Sequence, residues 1–288
     1  MLTQNTLFGT RDLVQIAIER FKFAYEVSQQ RGLGPLYVAF SGGKDSVVIA
    51  ELARLSGVPY ELHYNITGID PPEVIYFMRE HYPQLNWHRP RKTMWQLIVE
   101  KKMPPTRLIR YCCSELKEHG GENKVNITGV RWAESTRRKN TRNAYETKVS
   151  KVRDKIMAYD DEQGRLTFRS CPTKGGYIVN PIVDWTTADV WEFIRSRNLS
   201  YCKLYDQGEI RIGCIGCPMG GPKGMRADFA RYPKFKALYL KAFDAMITKY
   251  PEKVRNWRTA DDVMEWWVGF GDRKKQRQIE GQLIMEVV

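Results

Sequence analysis

The sequence predicts an α/β protein: a mostly parallel sheet with helices on both faces, then a small helical C-terminal subdomain. Two observations carry this. From Leu36 onward, short apolar runs alternate with stretches of helical periodicity, the pattern of strand–helix–strand units. After Cys217 the strand pattern stops, and "RADFARYPKFKALYLKAFDAMITKY" and "TADDVMEWWVGFG" read as aromatic-rich helices. The expected division is residues 1–218 and 219–288.

Each element has its own signal. Leu13, Ile16, Ala17, Phe21 and Ala24 recur at helical spacing, which predicts a leading amphipathic helix. "PLYVAF" reads as a buried strand, and "DSVVIAELARLSG" as a helix closed by Gly57. "PYELHYNI" is a second strand, and "PPEVIYFMREHY" a helix with prolines in its first turn. A later strand is expected over Lys124–Val130, and "TTADVWEFIRSRN" is a helix with threonine as its cap. Arg131 to Lys155 is basic and poor in apolar residues, so it reads as an exposed, partly mobile segment.

A chain of 288 residues, 42% hydrophobic and 27% charged, can bury a core. No apolar run reaches the length of a membrane span. The N-terminus lacks the basic start, apolar core and small-residue cleavage site of a signal peptide, so a cytoplasmic protein is expected. The 46 Lys and Arg exceed the 33 Asp and Glu by 13. Such a surplus fits a polyanionic partner, a nucleotide pocket lined with cations, or a merely solvated basic face.

The stretch "AFSGGKDSVV" places two glycines between a strand and a helix. Gly42 and Gly43 let the backbone approach an anion, and the helix start aims N–H groups at it. Ser41 and Ser46 add hydroxyls, and Lys44 a point charge. Asp45 is placed to cap the helix or to help hold Mg²⁺.

Six cysteines at these spacings point to metal or redox chemistry, not a disulfide scaffold. Cys112 and Cys113 are adjacent, and Cys214 and Cys217 form a C-x-x-C pair. Four thiolates suit zinc or an iron–sulfur cluster. Cys171 and Cys202 read as plain thiols.

The S-G-G-x-D-S stretch resembles the signature of the PP-loop ATP pyrophosphatases. The resemblance implies a Rossmann-like fold of the adenine nucleotide alpha hydrolase type. It also implies that Ser41, Gly42, Gly43, Lys44, Asp45 and Ser46 grip the pyrophosphate part of ATP. Attack on the α-phosphorus then gives an adenylated acceptor and pyrophosphate. The cysteine pattern is similar to that of adenylylsulfate (APS) reductases, which hold a four-iron four-sulfur cluster, and so implies Cys112, Cys113, Cys214 and Cys217 as ligands. Arg110 and Lys117 would then favour the thiolates. "LYDQGEIRIGCIGCP" and "NPIVDWTTADVWEFI" resemble further segments of that family. "ITGVRWAESTRR" is similar to its G-x-R-x-x-Q-S-x-x-R segment, with Glu134 in place of Gln. This implies Gly129 at the nucleotide, and Arg131 and Arg138 facing phosphates or acceptor.

Two departures shape the expectation. No cysteine follows Cys217, whereas sulfonucleotide reductases use one in a C-terminal E-C-G-[IL]-H motif as nucleophile. The family's D-T-G is replaced by "NITGID", which keeps Thr67 and Gly68 only. An ATP pyrophosphatase with an iron–sulfur cluster and a basic surface resembles the DndC/SspD-type proteins of DNA phosphorothioation. That resemblance implies nucleic acid as acceptor, DNA before tRNA, and a sulfur donor such as a cysteine desulfurase. A reductase of APS or phosphoadenylylsulfate (PAPS), a nucleotide or redox sensor, and zinc at the cysteines stay open as alternatives.

Overall fold

The computed structural model describes residues 2–6, 9–117, 120–148, 155–170, 176–254 and 256–269. In chain order the elements begin with β1 (Thr3–Thr6), β2 (Gly9–Asp12), α1 (Leu13–Gln30), β3 (Leu36–Ala39) and α2 (Lys44–Ser56). They continue with β4 (Tyr60–Asn65), α3 (Pro72–His81), β5 (Asn86–His88), α4 (Met94–Lys101), α5 (Tyr111–Leu116) and β6 (Val125–Ile127). A 3-10 turn (Trp132–Glu134) precedes α6 (Thr136–Thr141), β7 (Tyr145–Lys148), β8 (Lys155–Ala158), α7 (Glu162–Ser170), β9 (Tyr177–Val179) and α8 (Thr187–Ser196). The last helices are α9 (Gly221–Arg231), α10 (Pro233–Lys249) and α11 (Ala260–Gly269).

The chain divides into two compact units that interleave in sequence. The first comprises Met1–Tyr64, Pro72–His88 and Gly120–Ile212. The second comprises Asn65–Pro71, Arg89–His119 and Gly213–Val288. The helical tail expected after residue 218 therefore shares its unit with two segments from the first half of the sequence.

The first unit is built on a seven-stranded sheet of order β5-β4-β3-β6-β9-β7-β8. Strands β4, β3, β6 and β9 run parallel, while β7 pairs antiparallel with both β9 and β8. Consecutive residues Leu36, Tyr37 and Val38 are all buried. Because strand side chains alternate between faces, both faces of β3 are covered, as parallel strands require. Helix α1 packs on β3, β6 and β9, and α2 packs on α1 and α8. Asp12 caps α1 by accepting from Val14 and Gln15, and Thr186 caps α8 within a capping box with Asp189. Helix α2 closes at Gly57, whose φ of 69° is the left-handed conformation glycine adopts freely.

The order reverses direction at β3, with β4 and β5 on one side and β6 and β9 on the other. Open α/β sheets bind ligands at such a switch, beyond the carboxyl ends of the strands. Here that means the turns after Ala39 and after Ile127, the latter strand ending earlier than the expected Val130.

The Arg131–Lys155 stretch, of which residues 149–154 lie outside the described residues, is exposed over much of α6 as its composition predicts but not at Arg131 or from Asn143 to Thr147. Its basic residues cluster on α6, where Arg137 and Lys139 are exposed, but Asn143 to Thr147 are buried. Strand β7 lies between two partners, so its backbone is hydrogen-bonded on both edges. The polar residues are satisfied internally: Glu146, fully buried, accepts from Asn180 Nδ2 at 2.7 Å and from Arg142 Nη1 at 2.8 Å.

The second unit is helical. Helix α10 packs on α4 and α11, around a core that includes Leu97, Tyr239, Phe243 and Trp267. Trp267 is buried and donates its indole N–H to the carbonyl of Pro105 at 2.6 Å. Among the described residues no helix is long and apolar enough to cross a membrane. The basic "DRKKQRQ" run and Cys171 lie outside the described residues.

Candidate active site

The glycine loop links β3 to α2 in the first unit. Gly42 has φ 71°, and a Cβ there would stand 2.6 Å from Val74 Cγ1. Only glycine fits both the conformation and the space. Gly43 is the N-cap of α2 and supplies no side-chain cap. Ser46 Oγ donates to the Gly43 carbonyl at 2.8 Å, and Ser41 Oγ lies 3.4 Å from Ser46 Oγ, so the hydroxyls brace the loop.

Asp45 does not cap the helix. Its Oδ1 takes a hydrogen bond from Arg131 Nε at 2.7 Å, and its Oδ2 lies 3.3 Å from Lys44 Nζ. Both oxygens thus face cations, and each keeps a lone pair beyond the contact shown. Arg131 is buried, and its Nη1 also donates to the Trp185 carbonyl at 3.2 Å. Gly129 makes its close approach to Asp45: a Cβ there would lie 3.2 Å from Asp45 Cβ and 3.3 Å from its carbonyl carbon. Its smallness lets the turn after β6 press against the start of α2.

Arg138 pairs with Glu134, whose other contact is the backbone N–H of Arg131 at 3.2 Å. Burial lowers the Arg138 guanidinium below its ordinary pKa, and the positive charges of Arg211 and Arg142 lower it further. Lys44, Arg131, Arg138, Arg142 and Arg211 therefore outweigh Asp45, Glu134 and Glu146. An anion in front of the uncapped helix start would relieve that imbalance.

Two groups here escape sequence reasoning. Tyr205 places its phenol oxygen 2.9 Å from the backbone N–H of Lys44, with the Lys44 ammonium 5.6 Å from its ring centroid. Arg211 enters the field of Arg138 from the same stretch, which the L-Y-D-x-G resemblance marked without assigning either residue a role.

The second unit gathers the four cysteines. Cys112 and Cys113 lie in the first turn of α5, while Cys214 to Cys217 form a turn closed by Cys217 N–H on the Cys214 carbonyl at 3.2 Å. Gly216 at φ 70° makes that turn, and a Cβ there would meet Phe229 Cζ at 2.6 Å. The turn is anchored by Ile215 N–H on the Ile69 carbonyl, Gly216 N–H on Asp228, and the Tyr239 hydroxyl on the Ile215 carbonyl.

The thiols share one electrostatic neighbourhood. Cys113 is held down to about 5, first by the hydrogen bond from the Cys112 thiol and then by Arg110, whose Nη2 lies 3.2 Å from its sulfur. That same bond, burial and the charges of Cys113, Cys214 and Cys217 push Cys112 far up. Burial, with Asp70 adding to it, pushes Cys214 up to about 12, and its sulfur lies 3.5 Å from Asp70 Oδ1. Lys117 is raised: burial would lower it, but Cys214 and Asp70 outweigh that.

Among the described residues no three His, Cys, Asp or Glu side chains are set to hold a metal ion. The expected ligand set is present as a neighbourhood rather than a formed coordination shell. Its chemistry suits a cationic, thiolate-binding group, because Cys113 is already held towards the thiolate and the raised thiols of Cys112 and Cys214 would ionise against such a charge. Cys202 is buried and belongs to the first unit.

Comparison with known proteins gives the lineage. The chain is 30% identical over 234 residues to an uncharacterized protein of Methanocaldococcus jannaschii, a match covering 77% of this chain and 49% of that protein. It thus spans about half the length of that relative. To an adenosine 5'-phosphosulfate reductase of Oceanobacillus iheyensis it is 28% identical over 211 residues, covering 68% of this chain and 75% of the reductase. Among solved structures, a phosphoadenylyl-sulfate reductase of Candida auris in a phosphate complex matches 69% of this chain and 87% of its own, at 16% identity and TM-score 0.45. The family signature itself extends over residues 35–219, from the strand before the glycine loop to just past the second cysteine pair, and by that match the chain belongs to the phosphoadenosine phosphosulfate reductase domain family.

Proposed function

We propose that this protein is an ATP pyrophosphatase that activates an acceptor for sulfur incorporation. ATP binds at the Gly42–Gly43 loop, an acceptor oxygen attacks its α-phosphorus, and the bond to the bridging oxygen breaks to release pyrophosphate with the electron pair. The observation that supports this is the surplus of positive charge around Asp45 at an uncapped helix start. Lys44 and the helix start stabilise charge gathering on the leaving pyrophosphate, and Arg138 faces the phosphates or the acceptor. Asp45 holds Arg131 in place. Mg²⁺ arrives on the triphosphate, which needs no dedicated protein cage.

The acceptor in this reading is a nucleic acid, DNA before tRNA, in keeping with a net charge of +13 and the exposed basic face of α6. The protein works in the cytoplasm with a sulfur donor such as a cysteine desulfurase. Cys112, Cys113, Cys214 and Cys217 would hold a four-iron four-sulfur cluster, which when bound supplies electrons or sulfur chemistry. Arg110 and Lys117 steady the thiolates.

The family match favours a second reading, reduction of APS or PAPS to sulfite. One assay separates the two. Anaerobic protein is incubated with ATP, with and without DNA or tRNA, and in parallel with APS or PAPS and a dithiol. AMP and pyrophosphate from ATP, stimulated by nucleic acid, support the first reading. Sulfite from APS or PAPS supports the second, ADP with phosphate sinks the first, and tight binding without turnover leaves a sensor.

A further inference from the structure

The segment from Tyr201 to Ile212 is held as a succession of tight turns. Backbone bonds run from Tyr205 to Cys202, Asp206 to Lys203, Gln207 to Leu204 and Gly208 to Tyr205, and Glu209 returns to Leu204. Gly208 at φ 91° ends the series. Cys202 and Leu204 are buried beneath it, so the turns are pinned to the core of the first unit. The Tyr205 ring is wedged edge-on against Trp191 at 5.2 Å and near Tyr201 at 6.4 Å. Its position is therefore set before any ligand arrives.

What that rigid ring presents is a phenol directly over the glycine loop. The oxygen accepts the Lys44 N–H at 2.9 Å, and a Cβ on Gly43 would stand 3.5 Å from it. With its oxygen accepting the Lys44 N–H, the phenol keeps one hydrogen to give, and accepting that bond makes it a better donor. Burial keeps it protonated, its pKa pushed up to about 12. Tyr201, by contrast, has its hydroxyl on Asp206 at 2.9 Å.

We propose that Tyr205 is a ligand-contacting residue of the phosphate site, donating its phenol O–H to a phosphoryl oxygen seated on the Gly42–Gly43 loop. The ligand class is a nucleoside triphosphate or inorganic pyrophosphate, and the inference rests on the nucleotide reading above. Tyr205 stands against Gly43, while Val74 and Met78 press on Gly42. The oxygen that orders the first N–H of α2 also supplies a neutral donor, adding a hydrogen bond without adding to the crowded positive charge.

Calorimetric titration of wild type, Tyr205→Phe and Tyr201→Phe with ATP and with pyrophosphate tests this. Tyr205→Phe keeps the ring and its packing and removes only the hydroxyl. It is expected to bind both ligands roughly ten- to a hundred-fold more weakly, the range for one hydrogen bond to a charged group, while Tyr201→Phe matches wild type. Equal or tighter binding by Tyr205→Phe overturns the assignment, the tighter result meaning that the phenol competes with phosphate for the Lys44 N–H. Circular dichroism and the urea midpoint establish that the variant is folded. Should it not fold, replacing Tyr205 by 3-fluorotyrosine keeps the hydroxyl and strengthens it as a donor. Affinity should then rise, and an unchanged or lower affinity overturns the proposal. Wild type that binds neither ATP nor pyrophosphate overturns the nucleotide reading itself, a result distinct from all of these.

Discussion

The Nε of Arg131 lies 2.7 Å from Asp45 Oδ1, and this pair joins the turn after β6 to the first turn of α2. The guanidinium is almost wholly buried, with 2% of its side chain exposed against 21% for the carboxylate. The pair is therefore structural as well as electrostatic, and a change at Asp45 reaches beyond ligand contacts.

Asp45→Ala should lose pyrophosphate release and also lower stability by about 3 kcal/mol, because it strands a buried guanidinium without its carboxylate. Urea unfolding of the variant checks this. A variant with wild-type stability and no activity would return Asp45 to a role in ligand or metal binding alone.

Gly42→Ala should abolish ATP binding and cost about 2 kcal/mol. The substitution forces a side chain into a left-handed conformation and into Val74. Combining it with Val74→Ala should recover part of the stability but not the binding, since the backbone strain remains. Recovered binding in the double variant would show that space, not conformation, sets the requirement.

His63 should give the protein an acid-sensitive limb. Burial first, then the neighbouring His88, pushes its pKa from an ordinary 6.5 down to about 4. The unfolded chain then takes up a proton at a pH where the folded chain does not. Stability is full above the unfolded value, falls as pH drops from about 6.5 towards 4, and levels off below. Urea midpoints of wild type and His63→Gln at pH 7, 5.5 and 4.5 measure it, and an unchanged limb in the variant would refute the assignment.

Protein purified without oxygen should contain iron and acid-labile sulfide in near-equal amounts, both lost in Cys214→Ser and both retained in Cys202→Ser. Stoichiometric zinc in place of iron would remove the redox branch of the proposed function and leave the ATP chemistry standing.

Nucleic-acid affinity should fall linearly in log K against log salt, as counterion release requires. Reversing Arg137 and Lys139 on the exposed face of α6 should make the slope shallower by roughly two while ATP affinity holds. A slope of zero would favour a small-molecule acceptor.

The sequence by itself determined the alternation of strands and helices, the glycine loop, the caps at Gly57 and Thr186, and the cysteine spacing. These are local matters of periodicity, conformation at single residues and helix-end chemistry, and each is written within a few neighbouring positions. Tertiary structure alone decided the burial of Asn143 to Thr147. The composition around them argues for solvent, yet β7 is inserted between β9 and β8, and Glu146 is neutralised by Arg142 while Asn180, 34 residues away, satisfies its other oxygen. The unit boundaries were likewise invisible, because residues 65–71 and 89–119 join a helical core whose other members begin only at Gly213. Tyr205 lies within the L-Y-D-x-G stretch, which by itself gives it no role: its phenol meets the Lys44 N–H across 161 positions, and no local pattern encodes a partner that distant.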